Sequence, residues 1–234
     1  MSSPPSDRPW LTVLLTCLPE FSARPALDAL IRSGGRGQVV LLLCEEAERE
    51  SMTALGRDMV RCGNLRAFRC QCPQAGQNLW HVRNAASALV RTPWLLLLSS
   101  SVLLQENALP PLRRALETHR DLAGVNPFFL YPAGTGQPPA GSDKPLHIGA
   151  GVPRIAHMGT VVDYLGQMHY LYEGLPLGHT LARRERRFQL AHTAALLLRT
   201  ADVAAAGGFN PSLDSLADAD FCLRLGALLR QTAG

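Results

Sequence analysis

The run WLLLLSSS at residues 94–101 constrains the fold of this chain more than its other stretches do. Five apolar residues, from Trp94 to Leu98, pass directly into three serines. A continuous apolar run, rather than an alternating one, is typical of a strand covered on both faces, as in a parallel sheet. The run therefore predicts a buried central strand. Three small hydroxyls stand where a charged residue could end such a strand: Ser99, Ser100 and Ser101.

Two further apolar runs and the segments between them extend this pattern. Leu11 to Cys17 and Gln38 to Cys44 indicate buried strands, and Leu65 to Cys70 a short one. The predicted helices are 22–34, 45–63, 78–91 and one that starts near Pro110. In the third helix, four residues are expected to face inward: Leu79, Val82, Ala86 and Leu89. Alternating strands and helices predict an α/β fold, a doubly wound, mostly parallel central sheet with helices on both faces.

The second half of the chain changes character. Residues 131–160 are rich in Gly and Pro and predict a long loop, which in a compact domain is usually functional. A helix is expected over Val162–Leu171, and Ala194–Leu198 is a further apolar run. A basic cluster lies between them: Arg183, Arg184, Arg186 and Arg187. These arginines suit a diphosphate, because guanidinium groups bind phosphate in a bidentate manner, or they form a solvated helix face.

Charge, cysteine use and hydropathy narrow the function classes. The net charge of +4 and pI near 8.9 suit an anionic ligand. Basic and aromatic residues are not interleaved, so no nucleic-acid partner is expected. The six cysteines are expected to be reduced buried thiols. No run reaches the roughly 18 apolar residues of a membrane span. The sequence thus predicts a cytoplasmic protein without a transmembrane segment.

Two stretches, residues 81–104 and 196–225, together resemble the inverting family 2 glycosyltransferases of the GT-A fold. Arg83 and Asn84 match the family's Ala-Arg-Asn helix, and the apolar run that follows matches its central strand. The closing block is the most specific part of the resemblance, and it comprises Gly207, Gly208, Phe209 and the segment 218–225. The resemblance covers about half of the chain, in scattered blocks.

This chain departs from the family at several positions. The family's Asp-x-Asp motif, which holds a divalent cation against the donor diphosphate, falls on Ser99, Ser100 and Ser101. A serine hydroxyl is a poor ligand for a hard metal ion. We therefore expect no divalent metal cofactor, and Mn²⁺ or Mg²⁺ only if other ligands rebuild the site. The family's acidic pair falls on Ala217 and Asp218, so one carboxylate is lost.

The resemblance implies roles for individual residues. Asp218 takes the position of the catalytic base, which removes the proton of the acceptor hydroxyl. Ser215 and Asp218 also fit an S-x-x-D capping box, and the two interpretations are compatible. Glu45 lies next to the position at which the family's nucleobase-binding aspartate is expected. The predicted donor-binding residues are Glu45, Arg83, Asn84, Ser99, Ser100, Ser101, Arg183 and Arg184.

The resemblance also implies an activity and a domain plan. Residues 1–9 are predicted to be a disordered lead-in and 10–234 a single GT-A-like domain, with a nucleotide-binding half over 10–125 and an acceptor-side half over 126–234. One hypothesis is an inverting sugar transfer from a nucleotide-sugar, a UDP-sugar above all, to a glycan, lipid or protein acceptor. The alternative is an inactive glycosyltransferase-like module that serves binding or assembly. The retained Asp218 favours the enzyme.

Overall fold

The computed structural model describes residues 8–131, 153–165, 167–183 and 187–232. The predicted lead-in therefore lies almost wholly outside the described residues. The chain divides into two compact units, each described separately below. Unit 1 combines the residues up to Val125 with those from Thr193 onward, and unit 2 is Asn126–His192.

Unit 1 is built on a six-stranded sheet in the order β3-β2-β1-β4-β10-β5. The strands are β1 (Leu11–Thr16), β2 (Val39–Leu43), β3 (Ala67–Gln71), β4 (Trp94–Ser99), β5 (Gly124–Val125) and β10 (Ala195–Arg199). The first four strands are parallel, whereas β10 runs antiparallel to both β4 and β5. The predicted mostly parallel sheet is confirmed, with the three apolar runs of the first half adjacent and parallel.

Burial explains why the apolar runs form this sheet. Every residue of β1 and of β4 is buried, on both faces of the sheet. Such strands leave water only if other elements cover both faces, which the helices of unit 1 do. These helices are α1 (Ala23–Leu30), α2 (Arg49–Arg61), α3 (Leu79–Ala88), α4 (Leu109–Thr118), α5 (Thr200–Ala205) and α6 (Ala217–Thr232).

Helix α3 is positioned by a capping box at its start. The Asn78 side chain accepts from the backbone N–H of His81, and the His81 ring accepts from the backbone N–H of Asn78, so two otherwise unpaired donors are satisfied. Two of the four residues predicted to face inward are wrong, because Leu79 and Leu89 are 36% and 41% exposed. The other two, Val82 and Ala86, are buried as predicted. Trp80 and Arg83 are buried with them, so the buried face is rotated from the predicted one.

The described residues of unit 2 form two small antiparallel sheets. Strand β6 (Phe129–Leu130) pairs with β7 (Ile155–His157), and β8 (Thr160–Val162) pairs with β9 (Met168–Tyr170). Residues 132–152 of the predicted long loop lie outside the described residues, whereas the end of that segment forms β7 and the start of β8.

The predicted helix over Val162–Leu171 is wrong, since this segment is the β8–β9 hairpin. Asp163 explains the difference. Its Oδ1 accepts from the backbone N–H groups of Leu165 and Gln167, at 2.8 and 2.9 Å. An aspartate that binds the backbone two and four residues further along closes a turn. This local bonding favours the hairpin over the helical periodicity.

A stack of rings surrounds His157 in unit 2. Its ring lies 4.7 Å from that of Phe129 and 5.1 Å from that of Tyr170, nearly parallel to both, and 4.7 Å from that of His192. Burial, with a smaller contribution from His192, lowers the pKa of His157 to about 4. The imidazole is therefore neutral at neutral pH, and its Nδ1 accepts from the backbone N–H of Gly159.

We predict that unit 2 loses stability as the pH falls from about 6.5 to about 4. The unfolded chain binds a proton at His157 within this window and the folded chain does not, so acid favours unfolding, by up to about 3 kcal/mol. Urea unfolding of His157→Gln, which keeps an acceptor without a titrating ring, should depend less on pH between about 7 and 4.5. The exposed His179→Gln is the control. An equal pH dependence in wild type and His157→Gln would contradict the prediction.

Candidate functional site

The carboxyl ends of β1 and β4 form the edge at which ligands bind in open α/β sheets. Thr16 and Ser99 are register partners at the ends of these strands. The backbone continues this pairing beyond them, because the N–H of Ser100 donates to the carbonyl of Thr16 at 2.9 Å and the N–H of Ser99 to that of Ala194 at 2.8 Å. Strands β1 and β4 and the start of β10 therefore meet at one ordered edge.

The three serines divide into a pair and an anchor. The hydroxyls of Ser99 and Ser101 are hydrogen-bonded to each other at 2.8 Å. The hydroxyl of Ser100 accepts from the backbone N–H of Leu18 at 2.9 Å and fixes the chain after β1. Ser99 and Ser100 are buried, and Ser101 is exposed. Three neutral hydroxyls, two of them bonded to each other, do not fit a hard divalent cation, which prefers carboxylates and carbonyls.

Arg83 is a buried cation at this edge. Helix α3 directs its side chain to the strand ends, where Nη2 donates to Thr16 Oγ1 at 3.2 Å and Nη1 to Thr193 Oγ1 at 3.4 Å. Its guanidinium carbon lies 4.9 Å from the ring centroid of Trp80 and 5.9 Å from that of Phe209, at distances of cation–π contacts. Its Nε is buried and has no hydrogen-bond partner among the described residues.

The charge of Arg83 interacts with that of Asp218. Burial lowers the pKa of Arg83 to about 10, and the Asp218 carboxylate opposes this shift. The guanidinium therefore remains protonated at neutral pH. Asp218 lies half-buried in the first turn of α6, where its Oδ1 accepts from the backbone N–H of Ala219 at 2.8 Å. A carboxylate near a helix N-terminus stabilises the helix through its dipole. The position of Asp218 therefore suits a structural role as well as the role of a catalytic base.

Asn84 clamps the turn between α5 and α6. Its Nδ2 donates to the carbonyl of Phe209 at 2.7 Å, and its Oδ1 accepts from the N–H of the same residue at 2.8 Å. Gly208 lies beside this clamp with φ of +70°, and a Cβ there would lie 2.5 Å from Asn84 Oδ1. The turn therefore requires glycine at this position. Both polar atoms of the Asn84 side-chain amide are hydrogen-bonded to protein backbone. The donor-binding role of Asn84 stays a prediction.

A second clamp holds the same turn. The guanidinium of Arg224 forms an ion pair with Asp220 at 2.7 Å and donates to the carbonyl of Gly208 at 2.7 Å and to that of Ala206. Because Arg224 and Asp220 are one turn apart on α6, this bonding joins the helix to the glycine turn. Asp220 thus has a structural partner in Arg224, whereas Asp218 interacts electrostatically with Arg83.

The remaining predicted donor-binding residues lie elsewhere or are not described. Glu45 is exposed between β2 and a short helical turn, Glu46–Glu48. Arg183 ends another short turn, Thr180–Arg183, and Arg184 lies outside the described residues. The predicted roles of these residues stay predictions. Sequence reasoning missed Thr16 and Thr193, the two hydroxyl partners of Arg83.

The described part of the chain contains no group of three or more His, Cys, Asp or Glu side chains arranged to hold a metal ion. Within the same residues, none of the helices combines the length and apolar character that crossing a membrane would need.

The comparisons with known proteins show the fold. No protein-family model and no curated protein matches the sequence. Among solved structures, S. aureus TarS (residues 1–349) is similar with a TM-score of 0.54 and 14% identity over 92% of this chain and 54% of that chain. GalNAc-T7 with UDP, GalNAc and Mn²⁺ gives a TM-score of 0.56 and 12% identity, over 87% of this chain and 37% of that one.

A third similar structure is the mannosyltransferase PcManGT from Pyrobaculum calidifontis in complex with GDP-Man and Mn²⁺. Its TM-score is 0.51 at 13% identity, over 91% of this chain and 50% of that chain. These are glycosyltransferase structures of the GT-A type, and the six-stranded, mostly parallel sheet with flanking helices matches them. The fold of this chain is therefore glycosyltransferase-like, of the GT-A type. The chain spans about half, or less, of each of these structures.

Proposed function

We propose that this chain is a glycosyltransferase that transfers a sugar from a nucleotide-sugar donor with inversion at the anomeric carbon. One observation supports the proposal: in a GT-A-like fold, the buried cation Arg83 lies at the carboxyl edge of the parallel strands and interacts electrostatically with the Asp218 carboxylate. Two of the similar structures contain UDP or GDP-Man, which supports a nucleoside diphosphate sugar as donor. We propose a UDP-sugar as the first donor to test.

In the proposed reaction, the oxygen of an acceptor hydroxyl attacks the anomeric carbon while the bond from that carbon to the diphosphate oxygen breaks. The hydroxyl proton passes to the Asp218 carboxylate, and the nucleoside diphosphate leaves with the electron pair of the broken bond. Asp218 acts as the general base of this step. The buried Arg83 supplies a positive charge that interacts electrostatically with this carboxylate.

The leaving diphosphate gains negative charge in the transition state, and positive charge fixed in advance stabilises it. We propose that arginine supplies this charge in place of a metal ion, since the serine hydroxyls at the strand end do not fit a hard cation. Arg83 contributes the buried charge. Arg183 and Arg184 contribute further charge from the basic cluster, and Glu45 and the exposed Ser101 contact the nucleoside or sugar.

A second candidate function is an inactive glycosyltransferase-like module that binds a partner or a nucleotide. One observation favours it: the polar groups that replace the family's chemistry are occupied by the protein itself. The hydroxyls of Ser99 and Ser101 are hydrogen-bonded to each other. Both polar atoms of the Asn84 side-chain amide are hydrogen-bonded to the backbone of Phe209. Such an edge can be ordered for stability alone.

Calorimetric titration with UDP, UDP-sugars and GDP-sugars separates the two candidates. The enzyme is expected to bind at least one nucleotide-sugar and to hydrolyse or transfer its sugar slowly when small sugar acceptors are added. Nucleotide binding without turnover over the acceptor panel would favour the inactive module. If none of these nucleotides binds, the donor proposal is wrong.

We predict that nucleotide binding is insensitive to metal. Donor affinity should be the same in EDTA and in added Mn²⁺, because the strand end offers hydroxyls rather than carboxylates. The matched variant, Ser99→Asp with Ser101→Asp, should acquire a dependence on Mn²⁺, since it restores two hard oxygen ligands at one strand end. A wild-type protein that binds the nucleotide only with Mn²⁺ would contradict the prediction.

We also predict that Arg183→Ala together with Arg184→Ala weakens nucleotide binding. Each lost charge-assisted contact is worth roughly 1.5–3 kcal/mol, so the double variant, which loses two, should bind at least about 100-fold more weakly. The affinity of UDP, measured at two salt concentrations, provides the readout. A control that removes equal charge, Arg24→Ala with Arg113→Ala on exposed helix faces, should leave the affinity within about twofold. If the two double variants bind UDP with equal affinity, the basic cluster is not part of the donor site.

A further inference from the structure

Two thiols are in contact at the carboxyl ends of β2 and β3. The Sγ atoms of Cys44 and Cys72 are 3.7 Å apart. Leu43 and Gln71 are the last register partners of these strands, so the two cysteines occupy the next facing positions of a parallel pair. Neighbouring strands lie about 4.8 Å apart, within the Cα separation of about 4.4–6.8 Å that a disulfide spans. We propose that Cys44 and Cys72 are a thiol modification site that forms a reversible disulfide.

Accessibility makes Cys72 the attacking thiol, because Cys72 is half-buried whereas Cys44 is buried. The Arg49 guanidinium lies beside Cys72, and a hydrogen bond to that side chain raises the pKa of Arg49. Cys44 is buried, and burial raises the pKa of its thiol.

The proposed oxidant is a small-molecule disulfide, RSSR, such as oxidised glutathione. The Cys72 thiolate attacks one sulfur of RSSR, which breaks the S–S bond and releases RS⁻, and a mixed disulfide forms on Cys72. Cys44 then loses its proton and attacks the Cys72 sulfur, which releases the second RS⁻. In total, two protein thiols are oxidised, one RSSR is reduced to two RSH, and the two protons end on the released thiols.

The geometry favours a disulfide over a metal site. Structural zinc takes four ligands, whereas the described residues contain no group of three or more suitable side chains. The Cys72 thiol also donates to the carbonyl of Glu45 at 3.8 Å. A bond to Cys44 would replace this contact and change the anchoring of the chain after β2. The inference concerns sulfur chemistry alone and does not rest on the proposed function.

Intact-mass and peptide analysis in glutathione redox buffers tests the proposal. Exposed Cys62 would form a mixed disulfide of its own, so Cys62→Ser is the parent protein. The oxidised parent should lose two hydrogens, and dithiothreitol should restore them. Trypsin cleaves after Arg69 and leaves Cys70 and Cys72 in one peptide, so the peptide mass alone does not distinguish which of them is linked to Cys44. The Cys70→Ser substitution in the parent protein makes this distinction. That variant should still lose two hydrogens and join the peptide of Cys44 to that of Cys72.

Two further variants fix the order of the steps. Cys44→Ser should stop at one glutathione on Cys72, and Cys72→Ser should leave Cys44 unmodified, with circular dichroism confirming that both fold. The proposal is overturned if the parent remains reduced in the most oxidising buffer, if Cys72→Ser still loses two hydrogens, or if Cys70→Ser abolishes the link. A metal ion bound to the purified parent and released by thiol alkylation would also overturn it.

Discussion

Asp218→Asn should reduce sugar transfer by about 10²- to 10⁴-fold, the range for loss of a general base. Asparagine keeps the size of the side chain and can still accept from the backbone N–H of Ala219, the bond that Asp218 makes in α6. It cannot accept the proton of the acceptor hydroxyl. Donor affinity should therefore change little, and the loss should appear in kcat. Steady-state kinetics with the best donor of the nucleotide panel, together with calorimetry of donor binding, measures the two effects separately.

The matched control for this variant is Asp214→Asn. Asp214 is an exposed carboxylate four residues earlier, and asparagine keeps its side-chain shape while removing its charge. It should retain the wild-type rate. Unchanged turnover in Asp218→Asn would remove Asp218 from the reaction and leave only its role at the start of α6. Equal losses in both variants would indicate a structural effect on the segment rather than loss of a base.

Arg83→Met should weaken nucleotide binding by about 10- to 100-fold, if Arg83 supplies positive charge to the diphosphate. Methionine is long and apolar, and it keeps contact with Trp80 and Phe209, the rings on which the guanidinium lies. Removing one member of a buried charged pair often destabilises a fold, so circular dichroism first establishes that the variant is folded. Calorimetry with UDP at low and high salt measures the change.

Two companion variants make the Arg83 result specific. Arg83→Lys keeps the charge and loses the planar fork, so its affinity should fall between those of wild type and Arg83→Met. Arg66→Met removes an exposed arginine that precedes β3, at the opposite end of the strands, and should bind like the wild type. If Arg83→Met is folded and binds UDP normally, the guanidinium serves to join α3 to the strand ends and has no part in donor binding.

The central sheet was predictable because its signal is local. The apolar runs of β1, β2 and β4 are continuous, and continuous burial on both faces leaves few arrangements other than a covered parallel sheet. The inward face of α3 was less predictable. Leu79 and Leu89 fit the helical period as well as Trp80 and Arg83 do, and only the aromatic partners and strand ends across the core decide between them.

The candidate site was predictable only where it repeats a familiar pattern. Arg83 and Asp218 could be selected because they match motif positions, but no local feature indicates that Asn84 holds Phe209. Thr16 could have been selected only weakly as a site residue, because its one distinguishing feature in the sequence is a hydroxyl at the end of an apolar strand. The contact between Cys44 and Cys72 follows from the register of β2 and β3, which composition does not determine. The sequence alone therefore groups Cys72 with the other cysteines as a reduced buried thiol.

The discontinuity of unit 1 has a consequence for how the chain is made. Residues 126–192 interrupt the unit, and the bond between Arg83 and Thr193 joins positions 110 residues apart. On the ribosome, β1 to β4 emerge long before β10 does, so the apolar edge of β4 stays uncovered while unit 2 is being synthesised. An open edge of this kind can pair with another chain. The window for misassembly therefore closes only after β10, which ends at Arg199, has emerged from the ribosome.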